Sequence, residues 1–116
     1  MPDRPVEARA EGIALALMGI GAIQAEWIAP DATWQRSDAP VIIGRAAILD
    51  ATTTAPVLHK ITVEQVTAQG KAATVSGRSI DTDGRARLYC HVIRYTSSNA
   101  QQIAQIVSFE HNVKAG

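Results

Sequence analysis

The pattern of apolar and polar positions along this chain changes character near Pro56. Between Val6 and about Met18 the good helix formers Ala8, Ala10, Ala14, Leu15, Ala16 and Leu17 follow Pro5, a residue suited to the first turn of a helix. Gly19 and Gly21 end that segment. A second short helical piece is predicted over 22–28, closed by Pro30, so that the pair reads as a helical hairpin. Thr33 and Trp34 favour an extended stretch over 31–36. Ser37, Asp38, Ala39 and Pro40 read as a loop, and Gly44 opens a third brief helix over 45–51 that Thr52, Thr53, Thr54 and Pro56 terminate.

Beyond Pro56 the chain turns to strand-type sequence. Segments at about 57–68, 72–80, 86–96 and 102–112 are rich in Val, Ile, Thr, Tyr and Phe. Gln69-Gly70 and Asp83-Gly84 suit tight turns that need a positive φ, and Ser97 to Ala100 form a longer polar loop. Consecutive hairpins make an antiparallel meander. Helices first and long strands afterwards predict an α+β domain in which the helices cover one face of a curved sheet. Strand parity groups Tyr89, His91, Ile93 and Tyr95 on one face and Leu88, Cys90, Val92 and Arg94 on the other, while Ile106, Ser108 and Glu110 oppose Val107 and Phe109. Both faces carry apolar residues, so one is expected to meet the helices and the other a second subunit.

Composition narrows the function classes. With 116 residues, 47% hydrophobic and 19% charged, the chain makes one domain, 1–116, able to bury a core without disulfide or metal. Eleven basic and eleven acidic side chains give no net charge, although residues 1–58 carry −3 and residues 59–116 carry +3. Neither nucleic acid nor an anionic membrane is an expected partner, and a small neutral molecule is. A single cysteine, Cys90, leaves no intrachain disulfide and suits a reducing cytoplasm. The apolar run 12–23 is too short to span a bilayer, and Asp3, Glu7 and Glu11 before it do not suit a secretory leader. His59, His91 and His111 lack metal-ligand spacing, and Gly19-Ile20-Gly21 has Gln24 where a dinucleotide loop needs a third glycine. No metal or cofactor is expected.

Several stretches, taken in order, carry a resemblance. They are Ala29-Pro30-Asp31-Ala32-Thr33-Trp34, Ile43-Gly44-Arg45-Ala46-Ala47-Ile48, and His91-Val92-Ile93-Arg94-Tyr95 leading to Ile103 and Ser108-Phe109-Glu110. In order and spacing the chain resembles the SnoaL-like branch of the NTF2-like superfamily, the cystatin-like α+β cone. The resemblance implies a concave, mainly apolar pocket and a homodimer formed through the outer sheet face. Relatives include ketosteroid isomerases, polyketide cyclases, limonene epoxide hydrolase, scytalone dehydratase and non-catalytic members, so the fold does not choose a function. The isomerase pattern is not kept: Arg36 stands where those enzymes place a catalytic carboxylate, Gly12 about where they place a tyrosine, and His91 where they place an acidic donor. The cyclases, with a histidine and a carboxylate on the last two strands, resemble this chain better.

The candidate catalytic residues are therefore His91, Glu110 and Arg36. His91 can exchange a proton near neutral pH, Glu110 can orient it or act as base if burial raises its pKa, and Arg36 can stabilise an anion. Trp34, Tyr95, Ile93, Trp27 and Ser108 are the candidate substrate-binding residues. The expected function is a pocket for a small hydrophobic molecule, used either by a cofactor-independent acid/base enzyme of isomerase, cyclase, dehydratase or hydrolase type or by a non-catalytic ligand-binding or dimerisation module.

Overall fold

Pro5–Leu17 forms the first helix, α1, whose Ala10, Ile13, Ala14 and Leu17 make one buried stripe at the spacing of a helix face. That stripe packs on the inner face of the sheet, against the strands here numbered β3, Leu58–Gln69, and β4, Ala72–Asp81. Gly19, at φ 93°, ends the helix: its amide reaches the Ala16 carbonyl at 3.0 Å and the Ile20 amide reaches that of Leu15 at 2.9 Å, the paired bonds of a Schellman stop. The computed structural model describes residues 5–37, 39–97 and 102–113.

Two expectations for the first half are corrected. The second helix over 22–28 is a single 3-10 turn, Ala25–Trp27, because Ile28 and Ala29 are drawn into a strand, β1, Ile28–Arg36. Pro30 enforces this by denying the residue before it a helical backbone. The stretch read as a loop over 37–40 contains the start of β2, Ala39–Ile43, antiparallel to β1; Asp38 lies outside the described residues. Pro40 is tolerated because β2 is an edge strand. The third helix forms as expected and runs slightly longer, as α2, Arg45–Thr53, which turns its one fully buried residue, Ile48, inward.

The meander forms as read. β3, β4, β5 (Ala86–Tyr95) and β6 (Ile103–Asn112) pair antiparallel in sequence order, and β6 then pairs parallel with β1, giving the sheet order β2-β1-β6-β5-β4-β3. Gly70 and Gly84 take the positive φ their turns require, at 60° and 89°. The polar loop expected at 97–100 falls mostly outside the described residues. Parity on β5 is as expected: Tyr89, His91, Ile93 and Tyr95 are all buried, whereas Leu88, Cys90 and Val92 are half-buried and Arg94 is exposed. The densest part of the core, Ile13, Ile28, Ile93, Ile103 and Ile106, lies towards the Tyr95 end of β5. At the opposite end the sheet and the helices part.

Candidate functional site

Between the inner sheet face and the C-terminal ends of both helices lies a cavity of about 540 Å³. Leu17 and Met18 reach it from α1, Ala51 from α2, and Ala55, Pro56 and Val57 from the segment before β3. The floor comes from the sheet. Trp34 and Arg36 on β1, Ser108 and Glu110 on β6, His91 and Arg87 on β5 and Ser79 and Asp81 on β4 all project from one face. Cross-strand register explains the convergence: Arg36 is level with Ser108, and Ser108 with His91, so the three form a row across neighbouring strands. A size of this order suits a small organic ligand, with an apolar wall and a few placed polar groups.

His91 is 2% exposed, and burial pulls its pKa down from 6.5 to about 4. It is therefore neutral at ordinary pH. Its Nδ1 lies 2.7 Å from Ser108 Oγ, which also accepts the Trp34 indole N–H at 2.9 Å, and its Nε2 is buried with no partner. Arg36 holds its guanidinium 5.5 Å from the Trp34 ring centre, and among the described residues no carboxylate pairs with it. Glu110 does not touch His91. It is level with Tyr89 and pairs with Arg87 at 3.6 Å, its side chain 43% exposed, so the burial expected of it is absent. Arg87 also holds Asp81 at 3.2 Å, which sets a charged trio at the cavity mouth.

The structure thus brings His91, Arg36, Glu110, Trp34 and Ser108 to one cavity and sets three further candidates apart. Trp27, displaced by the loss of the expected helix, lines a separate apolar depression beside Gly12 on the outer side of α1 and lies under Arg9, 4.8 Å from its guanidinium. Ile93 and Tyr95 share the face of His91 but belong to the closed end of the sheet, Ile93 fully buried and Tyr95 with a buried hydroxyl that has no partner. Burial raises the Tyr95 pKa, with the charge of Arg9 opposing. The sequence reading missed Arg87 and Asp81. Arg87 is two residues from Tyr89 and four from His91, so the same parity that found His91 places it on the cavity face.

Among the described residues no group of three His, Cys, Asp or Glu side chains is arranged to hold a metal ion, and no helix is long and apolar enough to cross a membrane. Cys90 projects to the outer sheet face, and burial raises its pKa, so its thiol is in the unreactive form.

No protein-family model and no curated protein sequence matches the chain. Solved structures do. A candidate ketosteroid isomerase from Kribbella flavida superposes with a TM-score of 0.71 at 19% identity, over 95% of this chain and 80% of that one. An NTF2-like protein of unknown function from Mesorhizobium loti gives 0.70 at 17% identity, over 96% and 97% of the two chains. A candidate SnoaL-like polyketide cyclase from Jannaschia gives 0.62 at 15% identity, over 95% and 90%. At such identities the likeness is one of fold.

Proposed function

On this NTF2-like, cystatin-like α+β fold, we propose that the chain is a pocket protein for a small, mainly apolar molecule bearing one polar end. The observation that carries the reading is His91: a buried imidazole in the wall of a cavity of about 540 Å³ with one nitrogen anchored and the other unpartnered. An unpaired buried polar group costs on the order of 1–3 kcal/mol, a cost that a ligand atom in the cavity would offset. Calorimetric titration with 2-naphthol tests it. Saturable binding is expected, and Thr54→Trp, which brings an indole into the mouth from an exposed position, should abolish it while leaving the melting temperature of the free protein within a few degrees. Binding that survives Thr54→Trp would place the ligand elsewhere.

A second reading is a cofactor-independent acid/base enzyme, the class to which the names of the Kribbella and Jannaschia structures point. One observation favours it: the carboxylates of Glu110 and Asp81 share the cavity with His91 and Arg36, so base, proton donor and anion stabiliser lie within reach of one ligand. Against it, both carboxylates are engaged by Arg87. Hydrogen–deuterium exchange of 2-tetralone at its α-carbon, followed by NMR, separates the two. Enzyme-dependent exchange that falls at least about ten-fold in Glu110→Gln supports proton transfer, and exchange at the buffer rate supports binding alone.

The outer sheet face is the proposed homodimer surface. Val92 and Val107 are half-buried there in the single chain, and Phe109, beside them, is 52% exposed. An apolar face of this kind is costly to leave in water. Light scattering at micromolar concentration should give twice the chain mass, and Phe109→Glu should give the single-chain mass; a wild-type monomer would refute the dimer.

A further inference from the structure

We propose that Trp34 and Ser108 lock His91 as a neutral Nε2–H hydrogen-bond donor, and that this donor and Arg36 together bind a carboxylate on the apolar ligand. The inference rests on the pocket reading above and goes further, to the ligand's chemical class and the role of each group.

Hydrogen-bond inventory fixes the tautomer. An indole N–H can only donate, so at 2.9 Å Ser108 Oγ accepts from Trp34. Ser108 is itself buried and has a single proton to give, and His91 Nδ1 stands 2.7 Å away. When the hydroxyl donates to Nδ1, all three groups are satisfied and the one proton of a neutral imidazole resides on Nε2. In the opposite tautomer Nδ1–H would donate to an oxygen already accepting and the serine proton would have no acceptor, whereas Nε2 lacks a protein partner in either tautomer. Burial keeps the ring neutral, so it does not escape by taking a second proton. His91 is then a donor by construction, and a base only if the relay reverses.

Arg36 supplies the charge. It stands level with Ser108 on β1, as His91 does on β5, so cation and donor flank Ser108 in one row. Trp34, two residues before Arg36 on the same face, lies under the guanidinium. Arg87, the other arginine of the cavity, is already committed to Asp81 and Glu110. These carboxylates and Asp83 gather at the mouth, which leaves Arg36 as the cation without a carboxylate among the described cavity residues. A planar carboxylate offers two oxygens to two donors, and charge-assisted bonds of this kind are roughly twice as strong as neutral ones. A neutral carbonyl can accept from both donors but carries no charge to pair with the guanidinium. Trp34 and Ser108 are positioning residues in this scheme, and Arg36 and His91 touch the ligand.

The test compares 2-naphthoate with its neutral isostere 2-naphthamide by calorimetry, and reads the His91 tautomer by two-bond ¹⁵N–¹H correlation. The naphthoate is expected to bind at least about ten-fold more tightly, the advantage should vanish in Arg36→Gln, and the free protein should show Nε2–H. Ser108→Ala should mix the tautomers and weaken naphthoate binding, and Ser108→Thr, which keeps the hydroxyl, should restore both. Equal affinity for acid and amide would overturn the carboxylate assignment while leaving the pocket in place. Failure of both probes to bind would remove the pocket reading and this inference with it. An Nδ1–H signal in the wild type would overturn the relay whatever the probes do.

Discussion

Gly77→Ala is expected to destabilise the protein by about 3 kcal/mol. Gly77 stands between Val63 on β3 and Tyr89 on β5, beside the irregularity in β3 between Val63 and Gln65. There the Thr62 carbonyl turns onto the inner face and accepts the Tyr89 hydroxyl at 3.0 Å. A Cβ on Gly77 would overlap that carbonyl oxygen and stand 2.7 Å from the tyrosine oxygen, so two backbones would have to part and a buried hydrogen bond would break. Burial, with Glu11 and Glu64 nearby, raises the Tyr89 pKa to about 12, so its hydroxyl remains a donor at any ordinary pH. Urea unfolding followed by circular dichroism measures the loss. Gly84→Ala is the comparison: its φ of 89° strains a side chain, but a Cβ there meets nothing within 4 Å, and about 1 kcal/mol is expected. The reverse order would contradict the packing described for β3, β4 and β5.

His91 carries the second large effect, a dependence of stability on pH. Its pKa is about 4 in the folded chain against 6.5 when exposed, so between those values the unfolded chain binds the extra proton and the folded chain does not. Stability from this group is fully present above pH 6.5 and is lost as pH falls towards 4, by about 3 kcal/mol in all. Carboxylates titrate in part of the same window, so the quantity to measure is the difference between wild type and His91→Gln. At pH 4.5 the wild type should have lost about 2–3 kcal/mol more than the variant, relative to pH 7. Parallel curves would mean that the imidazole is solvated. Direct titration of the His91 ring by NMR gives an independent value, and a midpoint near 6.5 would contradict the buried site.

How far the sequence displays this arrangement depends on the interaction involved. The four long strands and their turns are legible because runs of β-branched and aromatic residues and the glycines of 69–70 and 83–84 are local signals. α1 is legible in the same way, from its helix formers between Pro5 and Gly19. β2 is not, because Pro40 argues against a strand until β2 is known to lie at the sheet edge. The residues 22–28 have good helix formers, yet pairing of Ile28 with Ile103 on β6 outweighs local propensity, and that partner is 75 positions away. Parity correctly puts His91, Ser108, Ile93 and Tyr95 on inner faces. It does not say which end of the sheet stays open, and so Ile93 and Tyr95 read as pocket residues although they close the core. The partners of Glu110 and His91 were equally out of reach. Only register shows that Ser108, and not Glu110, stands beside the imidazole, and that Glu110 falls to Arg87.

The two tryptophans allow the most direct test of the pocket. Trp34 lies in the cavity wall with its indole N–H on Ser108, whereas Trp27 lines the separate depression on α1. Their indole N–H groups are two reporters in a ¹⁵N-labelled protein, one for each depression. Titration with 2-naphthoate should move the Trp34 indole signal saturably and leave that of Trp27 in place. A saturable shift at Trp27 with Trp34 unmoved would put the ligand on the outer side of α1 and contradict the account.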